Sequence, residues 1–80
     1  MAFIVHTPTQ LGRVLRGQRE TLKLTQRQAA ADVGLLPKTI SRLERDPSTS
    51  AIDSLFKLLS ALQLELVLQP KPPRATGREW

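Results

Sequence analysis

The apolar residues of this chain fall into four helical stripes and one short alternating run. The first stripe is Leu11, Val14, Leu15, Gln18 and Leu22, at i, i+3, i+4, i+7 and i+11, with Gln18 as a polar interruption. Thr7-Pro8-Thr9-Gln10 opens that helix: Thr7 suits the N-cap, Pro8 the first turn, and Gln10 completes a capping box. The second stripe is Ala29, Ala30 and Val33, a thin face of small residues that lets a neighbouring helix cross closely. Thr25 and Gln28 form the capping box at its start, and Gly34 supplies the left-handed residue at its end. The third stripe is Ile40 and Leu43, behind a Pro37 placed for the first helical turn. That helix should stop near Arg45, because Pro47 disfavours helix at Asp46. Asp46-Pro47-Ser48-Thr49 then reads as a turn.

The fourth stripe is Ile52, Leu55, Phe56, Leu59 and Leu62, with Leu58 off it as an exposed leucine. Ser50-Ala51-Ile52-Asp53 reads as a third capping box. After Leu62 the period changes. Leu64–Gln69 alternates in part and Pro70 ends it, which predicts a short strand. A lone strand leaves its backbone groups unpaired. Its partner is either Phe3–Val5 or the same strand of a second chain, which makes Leu64, Leu66, Val67 and Leu68 the expected dimer seam. The predicted fold is all-α, four helices with a short C-terminal strand pairing across a dimer. Residues 1–69 form its one domain, and 70–80 are a proline-rich, basic, flexible tail that carries Trp80.

The middle pair, Thr25–Glu44, has the steric pattern of a helix-turn-helix: alanine inside the first helix, glycine in the turn, a β-branched residue inside the second. Its second helix leaves Lys38, Thr39, Ser41 and Arg42 facing outward. Lys38 and Arg42 can donate to guanine O6 and N7, with Thr39 and Ser41 as secondary readers. Gln26 and Arg27 open the first helix of the motif, where the side chain and nearby amides meet a phosphate.

Composition sharpens this picture. The net charge is +5 with 40% hydrophobic residues, one tryptophan and two phenylalanines, so the core is aliphatic and a polyanion is the expected partner. The sequence pI is near 10.8. In the first helix Arg13, Arg16, Arg19 and Lys23 are expected on a basic outer side, eased by an Arg16–Glu20 pair. Cysteine is absent, which rules out a disulfide staple and thiolate metal sites. His6 stands alone, and neither a Gly-rich phosphate loop nor paired carboxylates in an apolar setting are present. No catalytic residue, cofactor or metal is therefore expected, and the chain is not expected to be an enzyme. Its apolar runs are short for a membrane and no signal peptide is visible, which gives a cytoplasmic, nucleoid-associated location as the expectation.

The helix-turn-helix resembles the Xre/Cro class of repressors, with a lambda-repressor-like fold. The whole chain resembles the HipB antitoxins of HipBA toxin–antitoxin systems. The resemblance is carried by Thr7–Leu11 (TPTQL), by Thr25-Gln26, Gly34, Thr39-Ile40-Ser41 and Leu43-Glu44, by Phe56–Leu59 (FKLL), by Leu64–Leu68 (LELVL), and by Glu79-Trp80. It implies a homodimer on palindromic operator DNA, one helix per subunit in the major groove, with the C-terminal strands paired across the dimer. It also implies an autorepressor that neutralises a HipA-type serine/threonine kinase toxin, with Trp80 docking into that partner. One departure is the opening Leu36-Pro37-Lys38, where relatives often carry polar residues that reach base edges; base reading shifts to Lys38, Thr39, Ser41 and Arg42. The runner-up is a stand-alone Xre-type repressor without a toxin. Beyond it lies a helical interaction module with incidental charge.

Overall fold

The computed structural model describes residues 2–72. Its elements are α1 (Pro8–Thr21), α2 (Gln26–Asp32), α3 (Pro37–Arg45), a 3-10 turn (Pro47–Thr49) and α4 (Ile52–Ala61). The four α-helices and their order are those the apolar stripes predict.

The starts of α1 and α2 follow their capping residues. The Thr7 hydroxyl accepts the Gln10 amide at 3.1 Å. The Gln10 side chain overshoots Thr7 and accepts the His6 amide instead, at 2.6 Å, so the reciprocal half of that box is shifted by one residue. At α2 the box is complete: the Thr25 hydroxyl accepts the Gln28 amide at 3.0 Å, and the Gln28 carbonyl accepts the Thr25 amide at 2.8 Å.

Three helices end in the same way, and the stripe pattern had shown only one of these endings. The residue after each C-cap is left-handed: Lys23 at φ 59°, Gly34 at φ 72° and Gln63 at φ 59°. The next residue is a leucine whose amide returns to a carbonyl five positions back. Leu24 donates to Arg19, Leu35 to Ala30 and Leu64 to Leu59, at 3.0, 2.9 and 2.9 Å. This is the Schellman closure, in which an apolar residue just past the helix folds back on it. Leu24, Leu35 and Leu64 all pack on the core. Two of the three left-handed positions hold side chains, which local sterics penalise by roughly 1–2 kcal/mol each; the docked leucine and the recovered hydrogen bonds offset that.

The core is Leu15, Ala29, Ala30, Ile40, Leu43, Leu58, Leu59 and Leu62. Two sequence expectations change here. Leu58 is fully buried, whereas Ile52 and Phe56 are 68% and 48% exposed. The inward face of α4 is thus Leu55, Leu58, Leu59 and Leu62. Ile52 is the first residue of the helix, with no preceding turn to hold it on the core. Ser50 is the other correction. α4 starts at Ile52 behind Ala51, so alanine rather than Ser50 holds the N-cap and there is no side-chain cap; the Ser50 amide belongs to the 3-10 turn, donating to the Pro47 carbonyl. The Ser50 hydroxyl is left buried without a partner among the described residues.

Among the described residues there is no strand. Phe3–Val5 does not pair with 64–69, and Leu66, Val67 and Leu68 stand 50–87% exposed. The tail expected at 70–80, Trp80 included, lies outside the described residues from position 73 onward.

Candidate nucleic-acid interface

α3 is built to show one side. Ile40 and Leu43 are fully buried and Pro37 fixes its first turn. Lys38, Ser41, Arg42 and Arg45 recur at i, i+3, i+4 and i+7, opposite that buried edge. Lys38, Arg42 and Arg45 are exposed, while Ser41 and Thr39 are half-buried. Among the described residues the three ion pairs are Arg16–Glu20, Arg19–Glu44 and Lys57–Asp53. Lys38, Arg42 and Arg45 belong to none of them, so their charge is available to an anion.

What fixes α3 in place is polar. The Arg19 guanidinium forks onto Glu44, with Nε on one carboxylate oxygen and Nη2 on the other at 3.1 Å. Its Nη1 donates to the Leu24 carbonyl at 2.8 Å. The Gln26 amide group donates to the same carboxylate at 3.2 Å. One guanidinium and one carboxylate thus tie the end of α1, the following turn, the start of α2 and the end of α3. The Arg19 and Glu44 side chains are only 13% and 4% exposed. The hydrogen bond to Glu44 holds the Arg19 pKa above its ordinary value, against a smaller opposing effect of burial.

Here the sequence reading is corrected. Arg19 is not part of a basic outer side, although Arg16 and its partner Glu20 are, as an exposed pair at 3.2 Å. Gln26 stands at the start of α2, as expected, yet its side chain turns inward to Glu44. Arg27 is exposed beside it. A signal for the pair was present: Arg19 lies four residues after Leu15, and Glu44 four after Ile40, so each sits on a buried edge.

Gly12 was also missed. A methyl group there would meet the Glu44 carbonyl oxygen at about 2.5 Å, so α1 and α3 touch backbone to backbone. Above the contact lies a shallow open depression of about 260 Å³ lined by Arg16, Arg19, Gln26, Ser41, Glu44 and Arg45. Gln18 donates to the Leu62 carbonyl at 3.0 Å, which explains its place in an apolar stripe.

Leu64 is half-buried against its own core. The other expected seam residues, Leu66, Val67 and Leu68, are exposed, as are Phe3, Ile4, Ile52 and Phe56. No helix among the described residues is long and apolar enough to cross a membrane. No group of His, Cys, Asp or Glu among them could hold a metal ion.

A small-residue crossing, a left-handed glycine in the turn and a second helix with a basic outer stripe define a helix-turn-helix domain. The helix-turn-helix family model matches residues 15–69. The antitoxin HipB of Escherichia coli O6:H1 is 31% identical over 82 aligned positions, covering 95% of this chain and 87% of that protein. The chain belongs to the helix-turn-helix family and, within it, is a homologue of the HipB antitoxins. Among solved structures it resembles HipB in the HipB–O4 20mer complex, with a TM-score of 0.84 and 28% identity over 89% of this chain and 100% of that one. HipB in the HipA–HipB–O2–O3 complex matches equally, at a TM-score of 0.84, 28% identity and the same coverage.

Proposed function

We propose that this chain is an antitoxin and transcriptional autorepressor. A homodimer binds palindromic operator DNA through α3, and the same dimer neutralises a HipA-type kinase toxin. The observation that carries the reading is the outer stripe of α3, whose cations have no carboxylate partner among the described residues while the helix itself is clamped from behind. The relatives found in a HipB–O4 20mer complex and a HipA–HipB complex support the choice of partners. Arg42 and Lys38 read guanine edges, Thr39 and Ser41 assist, and Arg27 meets the phosphate backbone. Gln26, whose side chain holds Glu44, offers that backbone its main-chain amide instead.

The dimer closes through residues 64–68 of both chains, which pairs backbone groups that one chain leaves open and covers Leu66 and Leu68. A two-fold arrangement sets the recognition helices about 34 Å apart, one turn of DNA. Trp80 supplies an anchor for the toxin, since tryptophan buries a large apolar area and still donates one hydrogen bond.

The test is binding by the full chain to a duplex enriched from a random library. Arg42→Ala should weaken that duplex by about 1–3 kcal/mol and relax selectivity at one base position per half-site. An equal loss on specific and random DNA would reduce Arg42 to a backbone contact. Val67→Pro should weaken the dimer and the DNA complex together, and a tight dimer of that variant in sedimentation would remove the strand seam. Deleting Trp80 should weaken toxin binding by ~2 kcal/mol or more while free-dimer DNA binding stays unchanged. Matching toxin affinities would remove the anchor.

A further inference from the structure

Leu36 is the N-cap residue of α3, and its side chain is used neither by the core nor in a cap hydrogen bond. It is 58% exposed, although its neighbour Leu35 packs on the core. It occupies the N-cap of α3, where Ser, Thr, Asp or Asn would accept an orphan amide, and it makes no side-chain cap bond. Its position is nonetheless fixed. On one side Gly34 is left-handed and the Leu35 amide is tied to Ala30 at 2.9 Å. On the other Pro37 sets the backbone, and the Leu36 carbonyl accepts from the Thr39 and Ile40 amides at 2.9 and 3.3 Å. A large apolar group is thus carried into water on a fixed backbone, at the head of the helix that also presents Lys38 and Arg42.

The chemistry of base edges says what such a group can read. In the major groove, donors and acceptors mark every base pair, but the thymine 5-methyl is the one apolar feature. The first residues of a recognition helix are those that approach base edges. We propose that Leu36 is a specificity-determining residue that covers a thymine methyl in each half-site, an inference that rests on the DNA-binding reading above. Lys38 and Arg42 then select guanine by hydrogen bonding while Leu36 selects thymine by apolar contact. Because the backbone that carries the leucine is already fixed, little main-chain freedom is lost when the methyl is buried.

Deoxyuridine tests this, since it lacks only the methyl. A duplex enriched from a random library by the full wild-type chain is remade with each thymine in turn replaced by deoxyuridine, and affinities are read by fluorescence anisotropy. The wild type should bind about three- to tenfold more weakly when one thymine per half-site is replaced. Leu36→Ala should bind the thymine and deoxyuridine duplexes alike, at the weaker level. Leu36→Ser should be equally blind to the methyl while melting at the same or a higher temperature, because serine can cap α3. That excludes misfolding as the cause. Arg42→Ala should keep the sensitivity to deoxyuridine. A wild type indifferent to every replacement, or a Leu36→Ala variant that keeps the wild-type sensitivity, overturns the proposal. So does a Leu36→Ala variant with unchanged DNA affinity that loses toxin binding instead. Failure of the library to yield any enriched duplex overturns the DNA-binding reading itself, and this inference with it.

Discussion

α3 and α4 each bury leucine or isoleucine on the same core, and they are held there by different means. α3 is clamped from behind by polar bonds from α1 and α2, through Arg19, Gln26 and Glu44. α4 is held mainly by leucines, with one polar tie from Gln18 to the Leu62 carbonyl at its end; it starts without a cap and leaves Ile52 and Phe56 in water. Direction explains the contrast. Hydrogen bonds fix angles, and apolar contact mainly fixes area. The helix proposed to present its outer face to DNA is the one with the larger share of hydrogen bonds behind it. The helix with apolar residues on both sides leaves its outer ones, Ile52 and Phe56, open to solvent in the single chain.

The largest effect is expected from breaking the clamp. Glu44→Ala leaves the Arg19 guanidinium nearly buried with only the Leu24 carbonyl, and should cost about 3–5 kcal/mol in urea unfolding. Replacing both partners by apolar residues of similar volume should recover much of that loss while specific DNA affinity falls, because area can be restored more easily than angle.

Next come the two faces of α4. Leu58→Ala should cost about 2–5 kcal/mol at any protein concentration, as a fully buried leucine does. Phe56→Ala should cost little in dilute protein, because the ring is 48% exposed; a cost that grows with concentration would extend the proposed dimer contact from residues 64–68 to this face. Equal, concentration-independent losses would erase the distinction between an inner and an outer face.

The helix starts differ on a smaller scale. Thr25→Ala removes half of a complete capping box and should cost ~1 kcal/mol in thermal melts. Ser50→Ala removes a buried hydroxyl with no partner among the described residues, so it should be neutral or stabilising.

The smallest effect sits at the joint between the two helices. Hydrogen bonds from the Ser48 hydroxyl and amide hold the Asp46 carboxyl below the ordinary carboxylate range. A folded pKa below the unfolded one adds stability that is fully present above the unfolded value, roughly pH 4. It is lost as the pH falls from there through the folded value. Asp46→Asn should flatten the acid limb of a stability–pH curve in that window, and an unchanged limb would show that the joint carries no such linkage.

These contrasts also show where the sequence could be read. The four helices, the α2 capping box and the turn glycine were legible because each depends on residues three or four apart. The phase of α4 was not. Ile52, Leu55, Phe56, Leu58, Leu59 and Leu62 allow two overlapping stripes, and only the position of α4 over Ala29 and Ala30 chooses between them. Arg19 was not legible because an arginine in a run with Arg13, Arg16 and Lys23 has the composition of a solvated face, and only its spacing from Leu15 marks the buried edge. The left-handed Lys23 and Gln63 were hidden because glycine is the usual sign of such a turn, and here a leucine one residue later takes its place. The outward stripe of α3 followed from periodicity alone. The inward turn of Gln26 required Glu44, eighteen residues away.

Gly12 has a mechanical consequence. Where it meets the Glu44 carbonyl there is no side chain to act as a bearing, so α3 cannot slide or roll on α1 without the two main chains colliding. The recognition helix is in effect a fixed tooth on a rigid block. In the proposed dimer, any give needed to match half-sites of slightly different spacing would have to be found where the two blocks are joined, at the seam between subunits. A Gly12→Ala variant that still folds would carry a re-angled tooth, and its preferred DNA sequence would change even though residue 12 touches no base.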